Sequence, residues 1–286
     1  MCIFVSKTSG LNTHFHKSMV PPPPERATCP VCGRIFGRTD PKLIPWNYKS
    51  MLAHLNGSKT EEHVEFRRKN PDGPPCQLTP IPDTLESVLR KTPDILPEAA
   101  PRAVHLVNRL DRGTSGIVVV AVDGKAAAKL QRAWPDASKE YVCFVRGEPE
   151  EEFVVDLDLV DKYAKPGKKQ PNPTPRPAVT AFRVLRRYGV FALLAARLVL
   201  GGRTHQIRRH LNSRGCQIVG DSRYGKTGIN AWVREEFGLG RMFLHCRRLE
   251  MEVGGRRIVV EDPLKNQLEL VAFLDKFERA QAADKG

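Results

Sequence analysis

The chain has 286 residues, with 46 lysines and arginines against 32 aspartates and glutamates, a formal net charge of +14. Hydrophobic residues at 41% and charged residues at 27% exclude a wholly disordered chain and suit one large domain, or one domain with a small module. The cation excess points to a polyanionic partner, and the longest apolar run, Val190 to Leu200, is too short to cross a bilayer and carries Arg197.

The first residues, Met1 to Lys7, lack the layout of a signal peptide, so an intracellular protein without a membrane partner is expected, cytoplasmic or organellar. Seven cysteines, of which only Cys29 and Cys32 are close together, do not form a secreted disulfide framework, and the thiols are expected to be reduced.

In chain order, Pro21-Pro22-Pro23-Pro24 reads as an extended linker. A polar segment from Ala27 to about Arg68 follows, closed by Pro71-Asp72-Gly73-Pro74-Pro75. It holds Cys29, Cys32, His54 and His63 in the spacing C-x2-C-x21-H-x8-H. Two thiolates from a tight knuckle and two imidazoles would close a tetrahedral zinc site, with His14 and His16 as substitute ligands. The middle gap and the histidine gap are wider than in the common finger, so two unpaired thiols in a loop stand beside zinc as an alternative.

Past Thr84, Gly116 to Val122 reads as a buried strand and Asp123 caps a helix through Trp134. Lys139 to Gly147, Phe153 to Leu159, Ala178 to Arg187 and Val190 to Leu200 are strand-like, with Tyr188-Gly189 as a hairpin turn. Thr204 would cap a helix ending at Gly215. Met242 to Val253 and Arg256 to Val260 flank the turn Gly254-Gly255, and Pro263 opens a last helix to about Ala280. The sum is an α+β fold with a mainly antiparallel sheet.

Three constellations could carry chemistry. In His105 to Gly116, Asp111 sits between Arg109 and Arg112 before a Gly/Thr/Ser turn: a carboxylate held ionised, or a surface ion-pair turn. From Arg197 to Arg214 there are five arginines and no acid, a basic helix suited to phosphates or a solvated charged face. There Ile207 and Leu211 would bury one side and hold Arg208 at its edge, whereas His205 and His210 lack metal-pair spacing. Gly220 to Thr227 spells G-x-x-x-x-G-K-T, but too little chain follows to build the parallel sheet a P-loop opens, so the match is read as accidental.

Taken together, the motifs resemble RluA-type pseudouridine synthases. Those motifs are Asn108-Arg109-Leu110-Asp111-Arg112-x-Thr114-Ser115-Gly116, Lys139-Glu140-Tyr141 with Gly147, Gly202-Arg203-Thr204-His205-Gln206-Ile207-Arg208, Gly220-Asp221-x-x-Tyr224-Gly225 and Leu244-His245. Arg208-Arg209-His210-Leu211 and Asn230 to Leu239 are most similar to the branch called tRNA pseudouridine synthase C. Val5 to His14 is similar to the family's early Lys-Pro-x-Gly-Leu segment, although the strand that leads into it is expected to be missing.

The resemblance implies a pseudouridine synthase fold, a mixed but mainly antiparallel sheet flanked by helices, in a catalytic domain formed by residues 1–16 and 76–286. Residues 17–75 would be an inserted linker and zinc-finger-like module. It implies that a uridine in RNA, tRNA before rRNA, is flipped out and isomerised without a cofactor, by a monomer. Asp111 would be the catalytic carboxylate that attacks ribose or base, Arg208 its basic partner and Tyr141 the stacking aromatic that accepts a proton. Arg109 would fill the gap left by the flipped base, and Arg112, Arg203, His205, Gln206 and Arg209 would hold RNA. Three positions depart from the family: Asn108 replaces His, Thr8 replaces Pro and Cys246 replaces Ala. An RNA-binding protein on a catalytically decayed scaffold is the alternative.

Overall fold

The computed structural model describes residues 2–7, 26–28, 35–37, 44–45, 60–69, 85, 89, 104–160, 163–165, 168–169 and 174–283. The chain divides into two compact units, one of residues 1–15 with 83–286 and one of residues 16–82.

The larger unit is built on a ten-stranded sheet. Its strands are β1 (Cys2–Lys7), β2 (His105–Leu106), β3 (Ser115–Ala121), β4 (Ser138–Arg146), β5 (Glu152–Asp156), β6 (Val179–Tyr188), β7 (Phe191–Leu200), β8 (Gln217–Ile218), β9 (Leu244–Val253) and β10 (Arg256–Glu261). Its helices are α1 (Gly124–Ala133), α2 (Gln206–Ser213), α3 (Thr227–Phe237) and α4 (Leu268–Ala283). The strand order is β1-β3-β9-β4-β7-β6-β5, with β2 beside β3, β8 beside β4 and β10 beside β9. Every pairing in this sheet is antiparallel except that of β3 with β9. The expected α+β class and antiparallel bias therefore hold. A strand does lead into Lys7: β1 pairs with β3 from Cys2↔Ala121 to Lys7↔Gly116, where a gap was expected.

β3 is buried at all seven positions, flanked in the sheet by β1 and β9, and its apolar run from Ile117 to Ala121 packs in one core cluster. Where β3 meets β9, Gly116 has φ 118°, and a Cβ there would stand 2.2 Å from the Cys246 carbonyl oxygen. Only glycine permits this approach. Asp123 caps α1 by accepting from the Ala126 N–H at 2.7 Å, and Ala127 and Leu130 of that helix pack on β3 with Leu85 and Leu89.

Strand alternation divides β4 between two cores. Cys143 and Val145 join Ile207 and Leu211 of α2, while Val142 and Phe144 join Val233, Phe273 and Phe277 of α3 and α4. Gly254 and Gly255, at φ 58° and 75°, make the tight turn between β9 and β10. The β6–β7 turn falls on Gly189-Val190, one residue later than expected, with Gly189 at φ 59°. The last helix starts at Leu268 after a short 3-10 turn at Leu264–Asn266, not at Pro263.

In the smaller unit, strands Arg26–Thr28, Ile35–Gly37 and Ile44–Pro45 form a three-stranded sheet, and Glu61–Lys69 is a helix. His63 lies on that helix, buried, with its Nδ1 2.6 Å from Thr60 Oγ1. Cys29, Cys32 and His54, together with His14 and His16, lie outside the described residues. Among the described residues, no group of three or more His, Cys, Asp or Glu could hold a metal ion.

Candidate active site

Asp111 lies in the turn that joins β2 to β3, and the turn is clamped from below. Asn108 accepts from the Val119 N–H at 2.7 Å and donates to the Ile117 carbonyl at 3.2 Å. The Thr114 N–H donates to the Asp111 carbonyl at 3.0 Å. Lys7, fully buried at the end of β1, donates through Nζ to the Thr114 carbonyl at 2.6 Å. Burial lowers the Lys7 pKa to about 8, reinforced by the Arg241 charge and opposed by Asp111.

Facing this turn, α2 presents Arg208. Its Nη1 donates to Asp111 Oδ2 at 2.9 Å, while Nε and Nη2 donate to the two oxygens of Asp221 at 2.7 and 2.8 Å. Asp221 is wholly enclosed and also accepts from the N–H groups of Arg223 and Tyr224. Burial would raise the Asp221 pKa, but the Arg208 contacts and backbone donors outweigh it and hold the carboxyl below its ordinary range. Arg208 is opposed by burial in the same way and kept charged by its two carboxylates. Such a fork fixes the guanidinium plane and leaves one N–H pair to orient Asp111.

The turn before α2 differs from expectation. Thr204 does not cap the helix; it begins at Gln206, with His205 as N-cap in the left-handed region at φ 55°. Among the described residues no side chain caps the helix, and the Gln206 amide instead pins the turn that precedes it. Its Oε1 accepts from the N–H groups of Gly202 and Arg203 at 2.7 and 3.0 Å, and its Nε2 donates to the Leu200 carbonyl at 2.9 Å. These bonds tie the Gly202-Arg203 turn to the start of the helix, and the N–H groups of the first helical turn have no side-chain cap.

Asp111, Tyr141 and Arg208 line one pocket that opens to solvent. Arg109, Arg203, His205 and Gln206 line it too. Arg109 is exposed, Arg203 half-buried with its Nε donating to the Pro177 carbonyl at 3.3 Å, and Gln206 buried. Arg112 is exposed and Arg209 half-buried, both outside the lining. Burial pushes the Tyr141 phenol well above its ordinary pKa, and the neighbouring Cys246 and Asp111 add to this, so the ring is neutral at pH 7. Cys246 is the direct cross-strand partner of Tyr141.

Sequence reasoning missed Lys7, Asn108, Asp221 and Tyr224 as parts of the site. Asp221 and Tyr224 had a signal in Gly220-Asp221-x-x-Tyr224-Gly225, which was read as a motif without roles. That loop is no phosphate cradle. The N–H groups of Asp221, Arg223, Tyr224 and Gly225 are all engaged within residues 218–225, and the strand before it, β8, is antiparallel to β4.

Comparison with known proteins adds an independent line. The sequence profile described as RNA pseudouridylate synthase matches residues 69–213, half of the chain. A relative from Vibrio cholerae, "Ribosomal large subunit pseudouridine synthase C", is 34% identical over 173 residues, covering 59% of this chain and 54% of its own. "tRNA pseudouridine synthase C" of Pectobacterium carotovorum is 30% identical over 178 residues, covering 55% and 46%. The chain thus spans about half the length of these curated relatives. Among solved structures, "Human RNA Pseudouridylate Synthase Domain Containing 4" shares the fold, with a TM-score of 0.56 at 23% identity over 68% of this chain and 84% of that one.

Proposed function

We propose that this chain, which belongs to the RNA pseudouridylate synthase family, isomerises a uridine in RNA to pseudouridine with Asp111 as the catalytic carboxylate. One observation carries the reading: Arg208, fixed by Asp221, donates to Asp111 at the mouth of a pocket that also contains Tyr141.

The reaction breaks the N1–C1′ bond, turns the base, and joins C1′ to C5; the C5 proton leaves and N1 gains one. It is redox-neutral, and the proposal assigns it no cofactor. Asp111 Oδ2 is engaged by Arg208, so Oδ1 is the oxygen available to attack ribose or base. Arg208 favours the ionised form through a short charge-assisted bond. Tyr141, as a neutral phenol, stacks on the uracil, and its high pKa disfavours a role as a phenolate base. A duplexed uridine must be flipped to reach this pocket, and Arg109, exposed and part of the lining, would fill the vacated space. Arg112, Arg203 and Arg209 would contact phosphates, giving affinity that falls with salt.

The favoured substrate is tRNA, on the similarity of Arg208 to Leu211 and Asn230 to Leu239 to the tRNA branch, and rRNA is the competing one. The Cys29, Cys32, His54 and His63 set is proposed to hold a structural zinc in a module that helps select the RNA. Tritium release from C5-labelled uridine in tRNA and large-subunit rRNA transcripts tests the substrate: release from tRNA alone supports this assignment, and release from rRNA alone reverses it. RNA binding without release from either would favour the decayed scaffold.

A further inference from the structure

Among the described residues, His205 is the one non-glycine residue with a positive φ. A backbone in this region is costly for an L residue with a bulky side chain, and it persists where its surroundings over-determine it. They do so here. The Gln206 amide pins the turn from within through Gly202, Arg203, Leu200 and Thr180, and the ring of His205 is held from outside by Tyr224. The imidazole Nδ1 lies 3.2 Å from the Tyr224 hydroxyl, and the two rings meet edge to face at 5.7 Å. The turn thereby aims Nε2 at Asp111, 3.7 Å from Oδ1, the oxygen that Arg208 does not hold.

We propose that His205 is a positioning residue for Asp111, a second support opposite Arg208 that fixes the rotation of the carboxylate and keeps Oδ1 directed into the pocket. The inference rests on the isomerase reading and adds to it. Tyr224 donates its hydroxyl proton to Nδ1, which places the remaining ring proton on Nε2, facing the carboxylate. The opposite tautomer would set a lone pair against Oδ1. Charged and titratable groups face the ring from three segments: Asp111 from the turn before β3, Arg208 from α2, and Asp221, Arg223 and Tyr224 from the loop after β8. Burial lowers the His205 pKa below 6.5, the Arg208 and Arg223 charges add to this, and Asp111 opposes it. The ring is therefore neutral at pH 7. When it is protonated in acid, the imidazolium pairs with Oδ1 and ties up the attacking oxygen.

The test uses His205→Gly and His205→Asn, because both residues accept a positive φ and leave the turn unstrained. Single-turnover tritium release from C5-labelled uridine transcripts would be followed across pH 5 to 8, with RNA affinity measured in parallel. At saturating RNA and pH 7.5, His205→Gly should lower the rate on the order of 10- to 100-fold with unchanged affinity. His205→Asn, which keeps a donor amide, should recover part of that loss. The wild-type rate should fall in acid through a step that both variants lack. A His205→Gly enzyme with wild-type rate and pH profile overturns the proposal, as does a loss confined to RNA affinity, which would make His205 an RNA contact. A wild-type protein that releases no tritium from any transcript fails the isomerase reading and takes this inference with it, an outcome distinct from active variants.

Discussion

Arg208 Nη1 lies 2.9 Å from Asp111 Oδ2, joining a half-buried carboxylate on a loop to a guanidinium that is 9% exposed on α2. The bond is stiff because Asp221 grips the other edge of the same guanidinium. Of the two carboxylates on Arg208, one is enclosed and bonded on all sides, and the other faces the pocket. The buried one holds the arginine and leaves the pocket-facing one for chemistry.

Replacing Asp221 with Asn should therefore damage both stability and turnover. It strands a buried guanidinium, at a cost on the order of 3 kcal/mol in urea unfolding at pH 7. Turnover should fall while RNA affinity changes little. The pH dependence follows from the depressed carboxyl. Its stabilising contribution is complete above the unfolded pKa near 3.8 and is lost as pH falls through the lower folded value, so the wild type should lose stability below pH 4 more steeply than the variant.

Lys7 gives a signature at the other end of the scale. Its folded pKa, about 8, is below the ordinary 10.5, so between these values the unfolded chain binds the extra proton and stability rises with pH. A Lys7→Met variant should show a flatter rise from pH 8 to 10.5 in urea titrations. It should also turn over more slowly at pH 7, because the Thr114 carbonyl loses the donor that clamps the Asp111 turn.

The cysteine segment yields a prediction independent of catalysis. Protein purified without chelator should carry one zinc per chain by elemental analysis, and a Cys29→Ser, Cys32→Ser double variant should carry none. Protein with full RNA affinity and no zinc would leave those thiols as a plain loop.

Much of this architecture was legible because long strands carry strong alternation. Val179–Tyr188, Phe191–Leu200 and the Gly254-Gly255 hairpin fall within a residue or two of their expected places. The two-residue strands β2 and β8 were not, since two residues hold no periodicity and exist only through their neighbours. Thr204 has the residue type of a cap, but the helix begins at Gln206 with His205 as N-cap and no side-chain cap, and the reach of Gln206 back to Gly202 depends on the tertiary turn. Asp111, Tyr141 and Arg208 were found through motif resemblance, and the structure brings them into one pocket although 97 residues separate Asp111 from Arg208. The left-handed backbone of His205 and the two-sided grip on Arg208 had no local mark in the sequence. Each arises from residues distant along the chain.

The most direct test compares wild type with Asp111→Ala in single-turnover tritium release at saturating transcript, with RNA affinity measured alongside. The account predicts that release vanishes in the variant while affinity stays within about twofold, because the carboxylate acts in the chemical step and contributes little to holding RNA. Release from the variant at the wild-type rate would contradict it.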